Sequence, residues 1–181
     1  MNSITFKAAS KSFGLAAMKC GWFFSDNMDY IRRVRANNRT DLTTLGMIAS
    51  KAAYEGGEDW LRQVNEYIDG NHTFVESYVK ANIPLIKAYK PQGTYLQWID
   101  VSQIVDKIGA KKTAAEQSTG GRTVTPETIV EQWLVKNAKV HLNQGASYGV
   151  GGAGHMRMNI ATSRKTLENA LSSMATALRR V

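Results

Sequence analysis

Extended and helical hydrophobic patterns alternate along this chain of 181 residues, and that alternation limits the possible folds more than any other feature. Residues 3–6 and 21–24 read as short extended runs on either side of a small-residue turn, Ala8-Ala9-Ser10-Lys11-Ser12. From Asp26 to Val34 the pattern turns helical. After Asp41, Leu45, Ile48, Ala49 and Ala52 recur at three- and four-residue spacing. Gly56-Gly57 interrupts this helix, and Glu58-Asp59 restarts it with acids in a first turn, where the helix dipole favours them. The next run carries Leu61, Val64, Ile68, Val75 and Val79 and stops before Pro84. Residues 85–89, the turn Pro91-Gln92-Gly93 and residues 94–101 then predict a hairpin. Thr125-Pro126-Glu127 supplies a cap, a first-turn proline and an acid for a helix whose stripe is Ile129, Val130, Trp133 and Leu134. A last helix follows Thr162-Ser163 with Leu167, Ala170, Leu171, Met174 and Leu178 on one side. Helix and strand alternate too often for a bundle, so the fold class is layered α/β.

Two regions follow one another, residues 1–60 and 61–181, with no internal repeat. Residues 109–125 are polar, rich in glycine and threonine and weakly patterned, and read as a mobile surface loop or insertion. The formal net charge is +8, yet basic residues come at most two or three together, as in Arg32-Arg33 and Arg164-Lys165. A nucleic-acid binder concentrates its cations, so no nucleic acid is expected as partner; an anionic small ligand accounts for the charge equally well. One cysteine, Cys20, excludes an internal disulfide, and no Cys/His cluster has metal-ligand spacing. No run is apolar enough for a membrane span, and the opening residues lack a signal-peptide layout, which points to the cytoplasm.

Two segments hold residue types that carry chemistry. Lys11 lies in a turn of small residues, and a lysine amine becomes a nucleophile toward carbonyls when a neighbouring cation or a dry pocket lowers its pKa. Ser10 and Lys19 offer a hydroxyl and a cation for an anionic group, although most loop lysines are simply solvated. The second segment places four glycines within residues 149–154, ahead of an alternating run in which Met156, Met158 and Ile160 interleave with Arg157 and Asn159. An arginine fork suits a carboxylate, while the simpler reading is a half-exposed strand with Arg157 and Asn159 in water. The glycines precede a strand instead of joining strand to helix, so a dinucleotide loop is excluded. His155 is placed on the other face or in the turn, and His72 and His141 have no partner by spacing. Trp22, Trp60, Trp98 and Trp133 are spread evenly, and each fits a core stripe.

Taken together, these segments resemble a family. Ser10-Lys11-Ser12-Phe13-Gly14-Leu15-Ala16, followed by Lys19 and Gly21, is similar to the lysine segment of class I/II aminotransferases, the fold-type I pyridoxal-phosphate enzymes. Tyr148-Gly149 through Gly152-Ala153-Gly154-His155-Met156-Arg157-Met158-Asn159 to Arg164 resembles their carboxylate-binding segment. Residues 52–61 and 92–100 are similar to the branch of cystathionine β-lyases and cysteine C–S lyases. Gly14 stands where asparagine is usual, Lys19 where many relatives have arginine, and Ser163 where proline is common.

The resemblance implies the C-terminal half of such an enzyme. Residues 1–60 would be the edge of the large-domain sheet and residues 61–181 the α+β small domain with an insertion at 109–125. It implies pyridoxal 5'-phosphate as cofactor, Lys11 as its Schiff-base lysine and proton carrier, and Ser10 and Lys19 as phosphate contacts. Arg157 is implied as the clamp on the α-carboxylate of an amino-acid substrate. C–S β-lyase and aminotransferase activities both fit, and the partner is a second copy or a separate N-terminal half. The alternative is a non-catalytic remnant or interaction module that keeps the small-domain fold.

Overall fold

The computed structural model describes residues 2–38, 41–121 and 123–181 and divides into two compact units, Met1–Glu66 and Tyr67–Val181. The layered α/β architecture is the one found. In the first unit, β1 (Thr5–Ala8) pairs antiparallel with β2 (Gly21–Phe24), Phe6 opposite Phe23 and Lys7 opposite Trp22. The first strand thus lies two residues later than its apolar residues suggested. Helix α1 (Met28–Asn37) starts where the Asn27 side chain accepts from Asp29 N at 3.0 Å. Helix α2 (Thr44–Gly56) starts where Thr43 Oγ1 accepts from Gly46 N at 3.1 Å. A Cβ at position 46 would lie 2.6 Å from the Met18 carbonyl oxygen, so only glycine lets α2 approach the connection after β1 this closely. Helix α3 (Glu58–Asn82) follows directly after Gly57.

None of the described large apolar side chains of this unit is fully buried. Among its described residues Ala9 is the one hydrophobic residue counted as buried, while Phe6, Phe24, Met28, Leu42, Leu45 and Ile48 are exposed. Four of its aromatic residues gather into one cluster, and Phe6 and Phe23 form a separate pair. Phe13 meets Tyr54 edge-on and stacks on Trp60, and Trp22 meets Tyr54 edge-on. Trp60 is half exposed, so the expectation of a core tryptophan fails there.

The second unit holds the core. An antiparallel sheet runs in the order β3 (Lys87–Tyr89), β4 (Leu96–Asp100), β6 (His155–Asn159), β5 (Asn143–Gln144). Its buried face presents Gln97, Ile99, Met156 and Met158. Against them lie Val75 and Val79 of α3 and the helices α4 (Ser102–Lys107), α6 (Pro126–Ala138) and α7 (Arg164–Leu178). Thr125 and Ser163 cap α6 and α7, as their sequence signals predict. Asn71 of α3 satisfies the chain where β6 becomes α7: its Nδ2 donates to Ile160 O at 2.9 Å and Thr162 O at 3.0 Å, and its Oδ1 accepts from Arg164 Nε at 2.9 Å.

Several expectations are corrected. Residues 109–125 are not a loop throughout, because Ala110–Gln117 forms helix α5 against α6. Its buried face is only Ala110 and Ala114, one turn apart, and two alanines leave almost no hydrophobic signature. The connection after it is pinned as well: Ser118 Oγ donates to Ala114 O at 2.8 Å and accepts from Val124 N at 3.0 Å, while residue 122 lies outside the described residues. His72 is buried and does have partners, the Gln97 side chain and, at 3.0 Å, the Thr94 carbonyl. His141 lies 2.9 Å from Glu131.

The uneven core makes a direct prediction. Leu171→Ala, at a position 1% exposed, should lower stability by about 2–5 kcal/mol in urea unfolding followed by tryptophan fluorescence. Leu45→Ala, at a position 73% exposed, should change it by roughly 0.5 kcal/mol or less.

Candidate active-site residues

The connection from β1 to β2 is built to present Lys11. After Ala8 the chain leaves the strand in a turn closed by Phe13 N donating to Ala9 O at 3.1 Å. Ala9 is buried beneath it, Ser10 is half-buried, and Lys11 and Ser12 are exposed. Among the described residues no hydrogen bond or ion pair holds the Lys11 amine. Gly14 takes a positive φ of 67°, which glycine adopts without strain. Lys19 is exposed and left-handed at φ 50°, where it ends the short 3-10 turn Ala16–Met18. A lysine, a serine hydroxyl and a second cation in one connection suit an aldehyde that also carries a phosphate. That fits pyridoxal phosphate. Among the described residues no group of three His, Cys, Asp or Glu could hold a metal ion.

Arg157 lies on the second unit's sheet. In β6 the side chains alternate, Met156 and Met158 buried and His155 and Arg157 half-buried on the opposite face. The expectation that His155 turns away from Arg157 is therefore corrected, because residues two apart on a strand share a face. The strand ladder sets Trp98 of β4 and Asn143 of β5 on either side of Arg157. Trp98 stacks on His155 with ring centroids 5.8 Å apart and meets Tyr148 edge-on at 6.0 Å. The Arg157 guanidinium lies over the Tyr148 ring, its Cζ 4.6 Å from the centroid. Its Nε is buried with no hydrogen-bond partner, and among the described residues no carboxylate forms an ion pair with it. Buried polar groups are nearly always hydrogen-bonded, so this nitrogen is an exception among the described residues.

The glycine segment holds this arrangement in register. A Cβ on Gly145 would run into the carbonyl groups of Gly152 and His155, so the 3-10 turn Gly145–Tyr148 lies flat against the start of β6. The buried Glu127 carboxylate accepts from Gly154 N at 2.6 Å and ties the same segment to α6. Trp98 beside Arg157 and Glu127 on Gly154 carry no local signal in the sequence: strand pairing reveals the first, and a hydrogen bond across 27 residues the second.

Known proteins similar to this chain share one family. The sequence model of the class I and II aminotransferases matches residues 1–174. The chain is 31% identical to a cystathionine beta-lyase of Corynebacterium glutamicum, over 97% of this chain and 42% of that protein. It is 29% identical to the cystathionine beta-lyase PatB of Bacillus subtilis, again over 97% of this chain and 42% of that protein. Among solved structures, cystalysin from Treponema denticola, which contains a pyridoxal 5'-phosphate cofactor, superposes with a TM-score of 0.79 at 28% identity, covering 98% of this chain and 41% of that one. The chain thus spans less than half the length of these relatives.

The acid opposite His155 gives a pH test of the sheet. Partial burial works against the charge of Asp100, but hydrogen bonds from Ser102, including its backbone N–H at 2.8 Å, and the charges of His155 and Lys87 outweigh burial and hold the carboxyl below its ordinary range. A lowered folded value contributes stability that is present above the unfolded value of about 4 and lost as pH falls through the folded value. Asp100→Asn should therefore lower the urea midpoint at neutral pH, and its deficit should shrink toward about pH 3. A deficit that does not change with pH would contradict this assignment.

Proposed function

The chain belongs to the class I and II aminotransferase family, and on that premise we propose that it is the portion of a pyridoxal-phosphate-dependent amino-acid enzyme that carries its lysine and its carboxylate-binding arginine. Residues 1–60 are read as the end of the cofactor-binding large domain and residues 61–181 as the small domain. The division of the structure after Glu66 supports that arrangement. The observation that carries the proposal is the exposed, unpartnered Lys11 amine on a turn of small residues.

Pyridoxal phosphate, when bound, supplies an electron sink that weakens the bonds at the substrate's Cα. Lys11 would hold it through the Nζ amine, with the Ser10 hydroxyl and the Lys19 ammonium on the phosphate. Lys19 brings charge without the fork of an arginine, so it holds the phosphate as a point charge. The Lys11 Nζ would also be the base that takes the proton from Cα. Arg157 would receive the α-carboxylate on its guanidinium edge and so orient the substrate. Carbon–sulfur elimination from Cβ is favoured over amino transfer, since the relatives at 29% and 31% identity are named cystathionine beta-lyases.

The outward-facing apolar side chains of the first unit favour a covering partner, either a second copy or a polypeptide matching the rest of the relatives' length, in a cytoplasmic setting. No helix among the described residues is long and apolar enough to cross a membrane. The same exposed surface favours a second reading, an interaction module without catalysis.

Borohydride trapping separates the two readings. The chain would be incubated with pyridoxal phosphate, alone and with the N-terminal portion of the Bacillus subtilis relative, then reduced, digested and mapped by mass spectrometry. A pyridoxyl group on Lys11 that Lys11→Ala removes is the expected result. Indiscriminate labelling of surface lysines, or none at Lys11 in either mixture, would leave the interaction module as the better account.

A further inference from the structure

We propose that Tyr148 is a positioning residue for Arg157, its ring fixing the plane of the guanidinium so that the N–H edge is presented to a carboxylate. This deepens the reading of Arg157 as the carboxylate-binding residue and rests on it. An arginine side chain has four rotatable bonds, and a strand fixes only where it begins. Something must hold its far end if it is to bind a carboxylate through two parallel hydrogen bonds. An acid would do so by neutralising the arginine and occupying the donors that the ligand needs. An aromatic face attracts the cation and leaves every in-plane N–H free.

The Tyr148 ring is placed to do this. With Cζ 4.6 Å from its centroid, the guanidinium lies well inside the range of a cation–π contact. The ring is itself held by a second aromatic residue. Trp98, the ladder partner of Arg157, meets it edge-on, and His155 stacks behind Trp98. The turn that carries it is fixed by the contact of Gly145 with Gly152 and by Ser147 Oγ donating to Gln144 O at 2.7 Å. The residue is 51% exposed and its hydroxyl has no hydrogen-bond partner among the described residues, so the ring is the part in use. The Nε of Arg157 completes the picture: it is buried, and among the described residues no group accepts from it, so the ring contact holds the guanidinium without occupying that donor.

The test uses the whole 181-residue chain, labelled with 15N at arginine, and propionate as the carboxylate probe. The Arg157 Nε–H resonance, assigned with Arg157→Gln, should lie upfield from the Tyr148 ring current and shift saturably with propionate. Tyr148→Phe should bind within about twofold of wild type, whereas Tyr148→Leu should bind roughly tenfold more weakly, at unchanged circular dichroism. Equal binding by Tyr148→Leu, or equal loss in Tyr148→Phe and Tyr148→Leu, would overturn the role of the ring while leaving Arg157 in place. No ring-current shift in the wild-type chain would overturn it without any variant. Binding that survives Arg157→Gln, or no binding by wild type, would remove the reading of Arg157 and this inference with it.

Discussion

The antiparallel ladder between β4 and β6 is the constraint on which the second unit depends. Residue for residue it sets Ile99 against Met156 on the buried face and Trp98 against Arg157 on the other. Because side chains alternate along a strand, one register decides both what fills the core and what surrounds the arginine. A slip by one residue would bring Arg157 into the hydrocarbon interior and push two methionines into water. Core packing therefore guards the geometry of a polar site it never touches. Asn71 guards its far end, where the ladder gives way to α7, through its hydrogen bonds with Ile160 O, Thr162 O and Arg164 Nε.

Much of this architecture was legible in the sequence because its signals are local. Thr125-Pro126-Glu127 and Ser163 mark helix starts through hydrogen bonds within one turn, and the alternation Met156, Arg157, Met158 reports a half-buried strand. Helix α5 was not legible, since Ala110 and Ala114 bury too little surface to stand out from a polar stretch. Nor was the partnership of His72 with Gln97 and Thr94, which spans more than 20 residues and depends on the hairpin folding back on α3. The same holds at the candidate site. Lys11 and Arg157 stand out by residue type and setting, but Trp98 and the side of the sheet that His155 takes are consequences of pairing, and Glu127 enters through a long-range hydrogen bond to Gly154.

The two units differ in how they use apolar residues. Leu134, Leu171 and Met174 lie inside the second unit, whereas Leu42, Leu45 and Ile48 lie outside in the first. Surface of that kind is rarely left in water over a broad area. The turn bearing Lys11 sits in the unit that lacks a core of its own, so its rigidity depends on whatever covers that unit. The bed of Arg157 does not.

That unequal burial has a consequence for how the chain would open under native conditions. Backbone protection against hydrogen exchange follows the cost of local opening, and this cost rises with the apolar contact each segment must break. Amides of β4, β6 and α7 should exchange last, while those of β1, β2 and α2 should exchange almost as an unfolded chain does. A protease in solution would meet the same hierarchy, trimming the lysine-bearing region first and leaving a resistant body that begins near Tyr67.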